Sequence, residues 1–368
     1  MNQKKIAIAL MALGMATCFN RAYAQTPIVE DFKPTSVNQP GSPYPQVNSE
    51  GRVRTQIFAP EAKKVQLDIG AVKYDLVKDE KGYWTGESAP QDVGFHYYQL
   101  NIDGASVPDP GSLFFFGACR WGSGIEIPSA DQDIFAVKDV PHGHVHEVLF
   151  PSKSTNTSRR VFIYTPPGYE KETSKRYPVL YLQHGYCENE YSWPNQGHAN
   201  LIMDNLIAEG KATPCIVVMT YGMTNEIKFG GLRDFDIKPF QTVLVDELIP
   251  YVDTNFRTLA DQKNRALAGL SMGSMETKSI TLNRTDVFSH IGLFSGALYN
   301  PDEIKNKSTV KLIFQSCGSK ERPDGVKQST EELKKAGINA TWYVSEGTAH
   351  EFHTWRRSLY QFAQLLFK

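Results

Sequence analysis

Beyond its first two dozen residues, this chain of 368 has no apolar run long enough to cross a bilayer, which takes about 20 residues. Cysteine is sparse, five in all, with no C-x-x-C pair and no histidine–cysteine spacing that suggests a metal. A surplus of positive charge is missing too. The 39 Lys and Arg face 40 Asp and Glu, a net charge of −1. Nucleic-acid and anionic-membrane binding draw on basic patches, so this balance argues against both. No internal repeat and no low-complexity segment is present, which excludes a repeat architecture.

What stands at the start is a positive stretch, Met1-Asn-Gln-Lys4-Lys5, then a short apolar core over residues 6–16, then Ala22-Tyr-Ala24. This is the pattern of a secretory signal peptide over residues 1–24, cut near Ala24, and it is too short for a spanning helix. A lipoprotein reading at Cys18 is disfavoured by Thr17 before it and by the competing A-x-A site. The expected mature protein is periplasmic or secreted. Loss of Lys4, Lys5 and Arg21 with no acid takes the net charge from −1 to −4. Cys119, Cys187, Cys215 and Cys317 remain, and Cys215 and Cys317 sit in apolar runs that read as buried.

The most informative stretch is Gly269-Leu-Ser271-Met-Gly273. It follows an apolar run from Arg265 and precedes a helix-compatible run from Met275, the strand–turn–helix setting of a nucleophile elbow. Such a serine needs a base late in the chain and an acid between the two. His350 lies in a loop after the strand-like residues 340–345 and before a helix with Trp355, Leu359, Phe362 and Leu366 on one face. It is preferred over His353, which falls at the helix start and reads as a surface or pocket residue. Glu321 or Asp324, in the loop after the apolar run 311–317, could orient the imidazole. Oxyanion donors are expected from the N–H of Met272 and, after the apolar run 178–183, from the N–H of Tyr186 beside Gly185. His184, at that strand end, reads as structural.

Four ordered segments carry a family resemblance over about residues 145–368. They are Arg160-Val-Phe-Ile-Tyr-Thr-Pro-Pro-Gly-Tyr169, Tyr177-Pro-Val-Leu-Tyr-Leu-Gln-His-Gly185, the serine motif, and His350-Glu-Phe-His-Thr-Trp355. Together they resemble family 1 of the carbohydrate esterases, with its feruloyl, acetylxylan and esterase-D-like members. The resemblance implies an α/β-hydrolase fold, Ser271 as nucleophile and His350 as base. By its spacing from Cys317-Gly318 it makes Glu321 the acid, where relatives more often have Asp. It implies a serine esterase without cofactor acting on feruloyl or acetyl esters of arabinoxylan, with acylated xylan as its partner. The alternatives are a siderophore ester hydrolase, with Arg233 and Arg322 to receive an anionic chelate, and an inactive glycan-binding protein. Trp193, Phe229 and Trp355 are candidate walls of the substrate pocket, with the glycine-bearing loop 221–236 beside them.

Residues 25–137 read as short strands and turns, as in a small β-sandwich. Phe95-His-Tyr-Tyr-Gln-Leu-Asn-Ile-Asp-Gly with the later Asp109-Pro resembles the immunoglobulin-like module of carbohydrate-binding family 48. The segment Ser112-Leu-Phe-Phe-Phe-Gly-Ala-Cys-Arg-Trp121 is too apolar for free exposure and is expected to pack between the domains. Residues 138–157 read as a linker, whose alternating His142, His144 and His146 suit an exposed strand better than a metal site. From residue 158 the chain alternates strand and helix, as a mostly parallel sheet requires. Strands are expected over 161–164, 178–183, 215–219, 265–270, 290–294, 310–316 and 340–345. Helices are expected over 200–209, 240–252, 275–282, 328–336 and 354–367.

Overall fold

The computed structural model describes residues 27–224 and 236–368. The expected signal peptide and Cys18 lie outside the described residues, as do Phe229 and Arg233.

Residues up to Ile127 form two antiparallel sheets. One orders Lys33–Pro34, Gln46–Val47, Val53–Phe58, Tyr83–Glu87 and Val77–Lys78. The other orders Phe114–Gly117, Arg120–Ile127, Gly94–Ile102, Val65–Ile69 and Val72–Asp75, with Ala105–Val107 alongside Gly94–Ile102. Strand Val65–Ile69 shows why they face each other. Val65, Leu67 and Ile69 are buried, while Gln66 and Asp68 point away, the period of 2 that a one-sided strand requires. Those three share a core with Val47, Val53 and Trp84 of the other sheet, which makes the pair a β-sandwich.

The rest is one eight-stranded sheet. Its order is His144–Ser152, Thr157–Thr165, Ile216–Thr220, Val179–Gln183, Arg265–Leu270, His290–Phe294, Leu312–Gly318, Ala340–Ser345. The second strand runs antiparallel to both the first and the third, and the pairs from Ile216–Thr220 onward are parallel. Parallel strands covered on both faces read as unbroken apolar runs, and here alternate residues serve opposite faces. Leu180, Leu182, Val217, Met219, Ala266 and Ala268 pack on one side. Val179, Tyr181, Ile216, Val218 and Leu267 pack on the other. The final helix, Phe352–Ala363, buries Phe352, Trp355, Leu359 and Phe362 on the first side, at helical spacing. This is an α/β-hydrolase fold preceded by a β-sandwich.

One expectation needs correction. Residues 138–157 are not a free linker, since His144–Ser152 pairs along its whole length with Thr157–Thr165 as the edge of the large sheet. Most of its side chains face water, so its sequence lacks the unbroken apolar run of the inner strands. Two of the segment's three histidines are engaged: His142 Nδ1 lies 2.8 Å from Asp204, and His146 Nε2 lies 2.9 Å from Thr165 Oγ1.

Candidate active site

Strand Arg265–Leu270 delivers the chain to Ser271 at the carboxyl edge of the sheet. Ser271 has φ 51° and ψ −111° and precedes helix Met272–Asn283. Positive φ is uncommon for a residue with a side chain, and a bend that imposes it costs of order 1–3 kcal/mol. The bend also leaves no room beside it. A Cβ on Gly269 would lie 2.4 Å from the Gly273 carbonyl carbon, and one on Gly273 would lie 2.6 Å from the His184 oxygen. The two glycines of the motif are therefore steric requirements. The Ser271 N–H donates to the Phe294 carbonyl at 2.9 Å and ties the bend to the next strand.

His350 occupies the loop between strand Ala340–Ser345 and helix Phe352–Ala363. Its Nε2 lies 2.9 Å from Ser271 Oγ, and its Nδ1 lies 2.8 Å from Glu321 Oε1. With Nδ1–H donating to the carboxylate, Nε2 is left to accept the serine proton. The second oxygen of Glu321 accepts the Ser295 hydroxyl at 2.7 Å and the Gly318 N–H at 2.6 Å. Burial pushes the Glu321 carboxyl up, but hydrogen bonds from His350, Gly318 and Ser295 outweigh it and hold it below the ordinary range. Asp324 is elsewhere, exposed in the first turn of helix Pro323–Lys335, where a negative charge suits the helix dipole. Of the two carboxylates open to the sequence reading, Glu321 is the one that meets the imidazole.

Met272 opens the helix after the bend, so its N–H belongs to the donors that a helix leaves without internal partners. The loop after strand Val179–Gln183 crosses above. A Cβ on Gly185 would lie 2.7 Å from Leu270 Cδ1 and 3.5 Å from Ser271 Cβ, so this loop runs hard against the nucleophile. Tyr186 follows it, half-buried. His184 is buried and engaged: its Nδ1 lies 2.7 Å from the Gly185 oxygen, and Nε2 accepts the Gly222 N–H at 3.0 Å. Burial brings its imidazole down to about 4, so it stays neutral and structural.

A cavity of about 400 Å³ adjoins the triad on the acid side, lined by His350, Gly296, Leu298, Cys317, Arg322 and Val326 among others. A larger one, about 510 Å³, lies in the sandwich, where its lining includes Lys33, Ser49 and Gln132 but none of the triad. Size therefore does not mark the reactive site here; the hydroxyl–imidazole–carboxylate chain does.

Three sequence expectations change. Trp193 is no pocket wall: it is buried in the core, and its indole N–H donates to the Gln183 carbonyl at 2.9 Å. Trp355 is also buried and stands edge-on behind the His350 ring, 5.1 Å away at 89°, where it braces the imidazole. His353 is neither surface nor pocket residue, since it lies wholly buried with Nε2 3.0 Å from Asp131. The aromatic clasp divides. Phe115 is buried among Phe95 and Phe352, whereas Phe114 and Trp121 remain 48% and 49% exposed.

Two features escaped the sequence. Cys119 and Cys187 form a disulfide, while Cys215 and Cys317 are free and buried. An even cysteine count, as four would be without Cys18, hints at such a bond, but a separation of 68 residues does not. Glu188 is buried and accepts the Gly185 N–H at 3.0 Å. Burial pushes its carboxyl up to about 7. In sequence it is one carboxylate in a polar loop, indistinguishable from a solvated one.

Comparison with known proteins shows the family. The model of the Esterase family matches residues 152–364, and the chain belongs to that family. The chain is 55% identical over 347 residues to an endo-1,4-beta-xylanase/feruloyl esterase of Xylanibacter ruminicola, covering 92% of this chain and 48% of that protein. It thus spans less than half the length of that relative. An endo-1,4-beta-xylanase Y of Acetivibrio thermocellus is 27% identical over 178 residues, 45% of this chain and 16% of its own. Among solved structures, a carbohydrate esterase family 1 ferulic acid esterase of Anaeromyces mucronatus bound to ferulic acid superposes with TM-score 0.56 at 23% identity. It covers 65% of this chain and 96% of its own. An enterobactin esterase of Shigella flexneri reaches TM-score 0.60 at 17% identity, covering 86% and 93%. At these identities the structures share the fold.

Proposed function

We propose that this protein is an exported serine esterase that removes acyl groups, feruloyl or acetyl, from xylan, with feruloyl esters preferred. The observation that carries the reading is the unbroken chain Ser271 Oγ, His350, Glu321, at 2.9 and 2.8 Å. Ser271 Oγ attacks the ester carbonyl carbon while His350 Nε2 takes its proton. The carbonyl oxygen becomes an oxyanion that the N–H groups of Met272 and Tyr186 receive. The carbon–oxygen bond to the sugar then breaks, and His350 returns the proton to the leaving hydroxyl. Water, deprotonated by the same imidazole, attacks the acyl-serine and releases the acid. Glu321 holds Nδ1–H and balances the imidazolium throughout.

The feruloyl preference is supported by the Xylanibacter relative, whose name pairs xylanase with feruloyl esterase. It is supported also by the cavity beside His350, whose walls include Leu298 and Val326 and suit an apolar acyl group. Export is supported by the leader pattern and by the Cys119–Cys187 disulfide, a bond that oxidising compartments favour. No helix among the described residues is long and apolar enough to cross a membrane. The likeness to enterobactin esterase over both modules motivates a second substrate arm. The test compares methyl ferulate, acetylated xylan and enterobactin with purified wild-type and Ser271→Ala protein. Ferulate release lost in the variant is expected. Faster turnover of enterobactin, or equal activity in the variant, overturns the reading.

A further inference from the structure

The loop that carries Tyr186 is held from outside its own domain. Cys187, the next residue, is bonded to Cys119 in the turn between sandwich strands Phe114–Gly117 and Arg120–Ile127. The Cys119 N–H also donates to the Cys187 carbonyl at 2.9 Å. One residue further, Glu188 accepts the Gly185 N–H through one oxygen at 3.0 Å. Its other oxygen faces the hydroxyl of Tyr97, on sandwich strand Gly94–Ile102, at 3.5 Å. Tyr97 is fixed in turn, because Gln196 Nε2 donates both to its oxygen at 2.5 Å and to the Phe116 carbonyl at 2.9 Å. So both neighbours of the Tyr186 peptide are tied down, Gly185 through Glu188 and Cys187 through its sulfur. Both ties end on the sandwich.

We propose that the N-terminal sandwich acts as a brace for the oxyanion loop, with Cys119–Cys187 and the Tyr97–Glu188 contact as positioning elements for ester hydrolysis. This rests on the esterase reading above and extends it. An oxyanion donor works because it is already in place when charge develops, and it costs no reorganisation at that moment. A loop that holds the competent position only a tenth of the time lowers turnover about tenfold with no contact to substrate lost. A displacement of about 1 Å at a reacting centre can cost about a hundredfold. The brace therefore acts on kcat and leaves the binding of a small ester alone.

The test uses the full chain with 4-nitrophenyl acetate, which carries no sugar. Wild-type protein, native protein reduced with a phosphine, Cys119→Ser/Cys187→Ser, Tyr97→Phe, Glu188→Ala and Glu188→Gln are compared. Active sites are counted by stoichiometric fluorophosphonate labelling, and folding is followed by circular dichroism. Loss of the disulfide and Glu188→Ala should each lower kcat per labelled site by about 10- to 100-fold, with KM within about twofold. Tyr97→Phe should give a smaller loss in the same direction. Glu188→Gln should recover most of what Glu188→Ala loses, because its amide oxygen still accepts the Gly185 N–H. Should the double cysteine variant fail to fold, reduction of the folded protein and Glu188→Ala decide the matter. Unchanged kcat per site in folded, disulfide-free and Glu188→Ala protein overturns the brace, as does a raised KM at constant kcat. Ser271→Ala run alongside separates the two failures: retained activity there sinks the esterase reading itself.

Discussion

The sharpest energetic prediction concerns Arg356, whose side chain is wholly buried on helix Phe352–Ala363. Its guanidinium pairs bidentately with Glu126 of the sandwich, at 2.8 and 3.1 Å, and Glu126 is 2% exposed. Its Nε donates to the Gln196 carbonyl at 2.7 Å, and the guanidinium carbon sits 4.2 Å from the centre of the Phe135 ring. Arg356→Met removes the partner and leaves a carboxylate in a dry site. Breaking one side of a buried pair costs about 3–5 kcal/mol, a large share of the 5–15 kcal/mol that folded chains typically hold. At a urea dependence of about 3 kcal/mol per molar, the midpoint should fall by about 1 M or more. Glu126→Leu with Arg356→Met removes both charges. Apolar replacement of such a pair is neutral or stabilising by about 1–4 kcal/mol. The stranded Gln196 carbonyl returns a loss of about 1–3 kcal/mol. The double variant should therefore lie within about 3 kcal/mol of wild type. Urea unfolding followed by tryptophan fluorescence and far-ultraviolet dichroism measures both. A single variant that costs under about 1 kcal/mol, or a double variant worse than the single, refutes the reasoning.

Three further outcomes are expected. Ser271→Ala should lower kcat on any ester by about a millionfold while the urea midpoint stays put, read by burst kinetics and unfolding side by side. Glu321→Gln should cost about 10³–10⁴ in kcat by misplacing the imidazole proton, whereas Asp324→Asn should stay near wild type; a reversed order in rate assays sinks the assignment. Glu276 is buried with neither carboxylate oxygen partnered among the described residues, and burial raises its pKa above the ordinary range, partly offset by Arg159. A raised carboxyl means that the folded chain holds more protons than the unfolded one, so its stabilising effect is present at low pH and fades as pH climbs past the unfolded pKa. Glu276→Gln should thus gain on wild type as pH rises from 5 to 8, by up to about 1.4 kcal/mol per unit; a pH-independent gap between the two urea midpoints argues against it.

What could be read in the sequence was what the backbone makes obligatory. Gly269 and Gly273 admit no side chain, so the elbow is spelled out in letters. The inner strands are buried on both faces, and residues 265–270, 290–294 and 340–345 were expected with the observed bounds. His350 could be placed because strand ends deliver loops to one edge of such a sheet; the same reasoning left Glu321 and Asp324 both open, and only the family resemblance favoured Glu321. Residues whose role depends on a distant partner were illegible. Trp193 looked like a loop aromatic because nothing local shows that the Gln183 carbonyl awaits its indole. His144–Ser152 looked like a linker because an edge strand facing water keeps its polar side chains. Cys119, Tyr97, Glu126 and Glu188 take their meaning from residues 68, 91, 230 and 3 positions away. Even the last of these needed a fold to show that its loop is buried.

These long-range contacts bear on where the structural unit ends. Modules in one chain usually meet across polar surfaces and move against each other by default. Here Phe95, Phe115 and Phe135 of the N-terminal part lie in the same buried cluster as Phe352, Trp355 and Leu359. Gly94, at φ +103°, comes so near the final helix that a Cβ there would stand 2.4 Å from the His353 Cβ. Add the buried Arg356–Glu126 pair, and the contact has the character of a protein interior, for which rigid attachment is the expectation. The helix concerned begins two residues after His350 and carries Trp355, which backs the His350 ring. One face of that helix rests on the large sheet and the other on the sandwich. The placement of His350 therefore draws on both, and the segment that defines the family, residues 152–364, is smaller than the packed unit that holds the site.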